Sequence, residues 1–186
     1  MPNVVSDIIV TPGRVYYAAT GATLPADTVA VDGAWPAAWT EVGYTAAPIT
    51  LNHAYEELES DIQQSLAPVK RTKTAESLSL ETTLAEFTLD NLQLGTGGTV
   101  TDTAAGAGQP GKEELTVGGV ATLTERAWGF EGSYVDEDGA TFPVRVFVWK
   151  ATAVVNGNLE FGKAVQTGVP LQIKALADMG KTAGQR

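Results

Sequence analysis

The search for chemistry begins with short runs in which glycine, acids, histidine or tryptophan recur at useful spacings. Gly106-Ala-Gly-Gln-Pro-Gly111-Lys112 keeps the spacing of a phosphate-binding loop, but Glu113 stands where a serine or threonine should hold magnesium. A carboxylate there repels phosphate and Pro110 has no amide to donate, so the run reads as a plain glycine-rich loop. Asp136, Asp138 and Gly139 suggest part of a calcium loop, yet the twelfth position, which needs a glutamate, is Phe147. A hairpin turn is the better reading. His53 has no nucleophile pattern near it and sits in an alternating strand, where it is a structural or surface group rather than a general base.

Glu56, Glu57, Glu59 and Asp61 supply enough carboxylates for an acid and a base. A glycosidase pair, however, comes from separate elements and is shielded in a cleft, whereas acids this close in sequence form a solvated face. Trp35, Trp39, Trp128 and Trp149 would suit a sugar platform, but amphipathic aromatics more often fill a core or a subunit interface. No catalytic, cofactor-binding or metal-ligating set emerges, and the chain reads as a non-enzyme.

Composition narrows the choice further. The 186 residues carry 22 acids against 12 bases, a formal charge of −10, which argues against an exterior that grips nucleic acid. Only 18 % of residues are charged, against ~25 % in an average soluble domain, so partners are expected to cover much of the surface. Cysteine is absent, which removes disulfides and thiolate sites, and one histidine excludes multi-histidine metal sites. No apolar run approaches the ~20 residues of a membrane span and the start lacks a basic region, so a soluble chain without a secretory leader is expected. Charge is blocked along the chain. Between Arg14 and Lys70 there is no basic residue, and then Lys70, Arg71 and Lys73 arrive together.

The elements that must position these residues are mostly strands. Ile49, Leu51, His53 and Tyr55 alternate with Thr50, Asn52, Ala54 and Glu56, and Leu78 and Leu80 alternate with Ser77, Ser79 and Glu81, the period of a half-buried strand. Residues 141–154 are apolar on both parities, so both faces of that strand should be covered. One short helix is expected from about Thr83 to Leu94. Thr82 or Thr83 would cap it, Glu86 would complete a capping box, Leu84, Phe87 and Leu92 would pack inward, and Gly95 would stop it. Residues 95–119 hold eight glycines and read as a mobile loop, and Val135 to Gly139 as a hairpin turn. The sum is one mainly β domain with one helix.

The order of segments is informative: Trp39-Thr-Glu-Val-Gly-Tyr44-Thr, a strand from Ile49, Val69-Lys-Arg-Thr-Lys-Thr, Leu78-Ser-Leu-Glu-Thr running into Leu84 to Leu92, and Pro170-Leu-Gln-Ile-Lys-Ala-Leu-Ala-Asp178. From Gly13 to Asp178 this resembles the major tail tube proteins of long-tailed bacteriophages, in particular those of phages infecting actinobacteria. The resemblance implies an antiparallel β-sandwich or partial barrel with one short flanking helix. Residues 1–178 would form a single tube domain, with an N-terminal arm over 1–12 lying across a neighbour and a flexible tail over 179–186. It further implies a structural virion protein, assembled in the bacterial host cytoplasm, whose hexameric rings stack into the conduit for genome ejection. The implied partners are copies of itself, the tape measure, tail tip and tail terminator proteins, and DNA that passes without specific binding, with no membrane and no cofactor. Glu56, Glu57, Glu59 and Asp61 would be candidates for the lumen wall, and Pro68, Lys70, Arg71 and Lys73 for the tip of a hairpin that touches the next ring. The alternative is a β-sandwich module that binds a glycan or receptor through its tryptophans.

Overall fold

The chain was analysed as a computed structural model that describes residues 12–119 and 122–182. Its strands are β1 (Arg14–Ala19), β2 (Thr40–Glu41), β3 (Thr50–Ser60), β4 (Lys70–Leu84), β5 (Thr99–Thr103), β6 (Lys112–Thr116), β7 (Glu125–Val135), β8 (Thr141–Val155) and β9 (Val169–Ala175), with one helix, α1 (Leu89–Thr96), among the described residues. All but β5 and β6 join one seven-stranded antiparallel sheet in the order β2-β1-β7-β8-β9-β4-β3. The mainly β expectation holds. The layers do not come from two separate large sheets, however, because one sheet curls about its own core.

That curl is visible in the core itself. Val15 of β1, Trp128 and Phe130 of β7, Leu80 and Leu84 of β4, and Leu171 and Ile173 of β9 belong to one buried cluster, although β1 and β4 lie near opposite ends of the sheet. Period-2 alternation sends these residues to the concave face. The chain after β1 then laces the two ends together. Val42 N–H donates to Val15 O at 3.0 Å, and a few residues on, Ala46 N–H donates to Thr83 O and Ala85 N–H to Tyr44 O, both at 2.7 Å. The result is a partial barrel, tied at one end and not closed.

On the convex face of β1, β7 and β8 a second cluster forms around Tyr16, Ala18, Trp39 and Ala127, with Trp35 and Phe147 packed on it. Trp35 stacks on Tyr16 with ring centroids 4.0 Å apart. A buried ion pair holds this covering segment down. Arg145 Nε lies 2.6 Å from Glu131 Oε2, while Arg145 Nη2 donates to Val29 O at 2.7 Å and Glu131 accepts from Asp32 N–H and Trp35 Nε1. Strand β8 is apolar on both parities, and both of its faces are covered from Phe147 onward, while Phe142 and Val146 nearer its start are exposed. Val148 lies in the concave core, and Phe147 packs against the convex cluster. A register shift between Arg126 and Trp128 then brings Ala151 and Ala153 to the same side as Val148.

The helix is later than the sequence suggests. Thr82, Thr83 and Leu84 stay in β4, paired with Leu171, Pro170 and Val169, so strand pairing overrides the local cap signals. Thr88 is the N-cap, accepting from Asn91 N–H at 3.1 Å, and Gly97 at φ 67° is the C-cap. The Thr83–Glu86 capping box does not form, and Glu86 accepts instead from Tyr44 N–H. Leu84 is core but as a strand residue. Phe87 is 38 % exposed and meets Phe161 edge-on, while Leu92 does pack against the core. Gly95 lies inside the helix, where a Cβ would come within 2.7 Å of Val155. Asn91 Nδ2 donates to Val42 O and Glu86 O, which ties the helix to the lacing segment.

The region 95–119 is also more regular than a loop. β5 and β6 pair antiparallel, and only their connection over 104–111 is the glycine-rich stretch. The turn after Val135 is as expected: Asp136 Oδ1 accepts from Asp138 and Ala140 N–H, and Gly139 takes φ 82°.

Candidate functional site

The surface that stands out is the β3–β4 hairpin. Every residue from Thr50 to Ser77 is exposed, on both faces of both strands. An isolated two-stranded ribbon is marginal in water, and this one also carries Leu51, Tyr55, Leu58, Ile62, Leu66 and Val69 uncovered. β3 is besides the terminal strand of the sheet, so one whole edge of its backbone is unpaired among the described residues. The half-buried strand expected over Ile49 to Tyr55 is therefore exposed in the single chain.

Pairing decides which residues share a face. Leu51, Leu80, Ile173 and Ala153 are successive partners across β3, β4, β9 and β8 and form an apolar concave row. One step along, Asn52, Ser79, Lys174 and Thr152 form the row on the other face, and Thr50, Glu81 and Gln172 lie beside it. Gln172 Nε2 donates to Glu81 Oε1 at 2.6 Å. Four strands thus present a largely polar face, interrupted by Val154, Ala54 and Leu58 and carrying Glu56, Glu81, Lys70 and Lys174. No sequence signal pointed to it, because Lys174 and Thr152 reach Asn52 and Ser79 only through strand pairing.

The four acids do not act as one group. Glu56 lies on this polar face with Asn52 and Thr50, whereas Glu57 and Glu59 lie on the opposite face, where their cross-strand partners are Lys73 and Arg71. Arg71 Nε is 2.9 Å from Glu59 Oε1. Asp61 is past the end of β3, in the 61–69 turn. Of the proposed tip residues only Pro68 belongs to that turn, while Lys70, Arg71 and Lys73 are already in β4.

His53 and Lys73 converge on one carboxylate. His53 Nε2 and Lys73 Nζ each lie 2.6 Å from Glu76 Oε1, and Lys73 sits over the Tyr55 ring. The hydrogen bond from Lys73, followed by that from His53, holds the Glu76 carboxyl below its ordinary value. This cluster braces the hairpin. The phosphate-loop lookalike is likewise a tight turn between Gly106 and Gln109, with Lys112 in β6 and bound to Glu114 at 2.9 Å. Trp128 and Trp39 are buried, Trp35 is packed on Tyr16, and the Lys181 ammonium lies over Trp149 at 4.0 Å, so the tryptophans do not assemble into a sugar platform.

A mainly β subunit whose β3–β4 hairpin has no cover among the described residues is built to be completed by other chains. The match to the family model of phage tail tube proteins extends over residues 3–184, and the chain belongs to that family. It is therefore a structural component of a virion tail, assembling with other tail proteins into a tube. Comparison with curated proteins finds no match.

Proposed function

We propose that the chain forms hexameric rings that stack into the tail tube, with the polar face of β3, β4, β9 and β8 lining the bore through which the genome is ejected. The observation that carries this reading is the uninterrupted exposure from Thr50 to Ser77 beside that polar face. Closing several copies into a ring pairs the free edge of β3 and covers the apolar side chains of the hairpin. A wall rich in serine, threonine, asparagine and glutamine offers DNA no continuous basic track to bind, since Lys70 and Lys174 on it are offset by Glu56 and Glu81. The 61–69 turn, with Pro68 in it and Lys70, Arg71 and Lys73 behind it, reaches the adjacent ring. The tape measure threads the bore, and tail tip and terminator proteins close its ends. Assembly takes place in the cytoplasm of the bacterial host, an actinobacterium on the sequence resemblance, and the role is structural rather than catalytic.

Electron microscopy of the purified protein, alone and with tail tips as nuclei, tests this. Tubes or rings of constant diameter are expected. A monomer that persists at millimolar concentration and does not extend tail tips would refute it.

A further inference from the structure

Of the five asparagines in the chain, only Asn156 is followed by glycine. The pair begins the connection between β8 and β9, and both residues are exposed. Asn156 N–H is anchored to Pro170 O at 3.0 Å, but among the described residues the Gly157 N–H has no hydrogen-bond acceptor. Gly157 sits at φ 150°, where L side chains are strained, and a Cβ there would lie 2.9 Å from Pro170 Cγ. Structure therefore holds this position to glycine, the residue that least obstructs attack by its own backbone nitrogen on the preceding side chain.

We infer that Asn156 is a site of spontaneous deamidation, a built-in clock on the age of the protein. The Gly157 nitrogen gives up its proton to hydroxide and bonds to Asn156 Cγ, the bond from Cγ to the side-chain nitrogen breaks, and ammonia leaves. Water then opens the resulting five-membered imide at either carbonyl, giving aspartate or isoaspartate. The net change is amide plus water to carboxylic acid plus ammonia, with no oxidant or reductant. Asn52, Asn91 and Asn158 precede histidine, leucine and leucine, whose side chains crowd the same attack, and Asn91 is also buried.

The product has a defined place. Asn156 lines, with Thr50, Glu81 and Pro170, a cavity of about 260 Å³ at the base of the polar face. A new carboxylate there joins Glu81 and takes the formal charge of the chain from −10 to −11. The isoaspartate form also lengthens the backbone beside the bond to Pro170. None of this depends on the tube reading.

The test is to age purified protein at neutral and alkaline pH and follow each asparagine by peptide mapping, with a synthetic 152–160 peptide alongside. Conversion confined to Asn156, rising in proportion to hydroxide, near the rate of the peptide and absent in Asn156→Ser, is expected. Conversion at Asn156 no faster than at Asn52, Asn91 or Asn158 would overturn the inference. So would a rate slower than that of the peptide by about tenfold, equivalent to roughly 1.4 kcal/mol on the barrier, because the fold would then be protecting the site. If Asn156→Ser does not fold, the wild-type map alone decides.

Discussion

Reversing one charge at a time on β3 separates the two faces of the hairpin. Glu56 shares its face with Asn52 and Ser79, and Glu57, the next residue, faces the other way with Lys73 as its cross-strand partner. Glu56→Lys moves the proposed wall by two charges per subunit. In a hexameric ring each lysine can neutralise a phosphate, so the salt dependence of DNA retention should steepen by roughly five in log–log slope per ring, at about 0.9 per contact. A Debye length of ~8 Å at physiological salt leaves that attraction only partly screened for a duplex near the wall. Glu57→Lys instead sets two lysines opposite each other, a local cost of roughly 0.2–1 kcal/mol that acts on the hairpin and on assembly. The assay is DNA ejection against salt from tubes whose assembly has been confirmed by microscopy. Glu56→Lys should stall ejection at low salt and recover as salt rises, while Glu57→Lys tubes that assemble should eject normally. If Glu57→Lys stalls and Glu56→Lys does not, the wall is the other face; if neither changes ejection, β3 does not line the bore.

Three further outcomes are expected. Thr88→Ala removes the N-cap of α1 and should cost about 1 kcal/mol, comparable to Phe87→Ala, which loses an edge-on contact worth roughly 0.5–1.5 kcal/mol rather than a filled cavity; paired thermal melts check both. Arg145→Met strands the Glu131 carboxylate in a buried site and should cost about 3–5 kcal/mol, read by denaturant unfolding and by a change in Trp35 and Trp39 fluorescence as their segment loosens. Glu76, held below its ordinary value, contributes stability above the unfolded carboxylate range that is lost as pH falls through its lowered value; Glu76→Gln should therefore raise amide exchange in the hairpin near neutral pH, with the difference from wild type vanishing in acid.

The parts of the fold that were legible in the sequence are those in which one residue type repeats within a single element. Leu78 and Leu80 alternate with serines, and Leu80 is buried while Leu78 packs against the same core. Residues 141–154 are apolar on both parities, and both faces are covered from Phe147 onward, while Phe142 and Val146 stay exposed. The helix start was misread because Thr82 and Thr83 carry local cap chemistry, yet they also continue β4 into register with β9, and several ladder bonds outweigh one cap. β5 and β6 were hidden by the glycines around them, since Val100 and Leu115 leave only one inward residue in each short strand. A block of acids looked like a surface, but successive residues on a strand point to opposite faces, and so Glu56 and Glu57 separate.

The two edges of the sheet bear on why this chain assembles. The β1 edge is closed off within the subunit by β2 and by the lacing segment that continues to β4. Among the described residues the β3 edge has no such cover, and it is also the longer of the two. An open edge of that length invites uncontrolled pairing unless charge opposes it, and Glu56, Glu57 and Glu59 cluster on that strand alongside Leu51, Tyr55 and Leu58. In the free subunit Glu57 and Glu59 face Lys73 and Arg71, so it is chiefly Glu56, opposite Ala75, whose charge opposes sticking of β3 to another β3. In the proposed ring β3 would meet a different edge and this like-charge penalty would fall away. On that proposal, association would be directed head to tail around a closed ring instead of back to back between two hairpins.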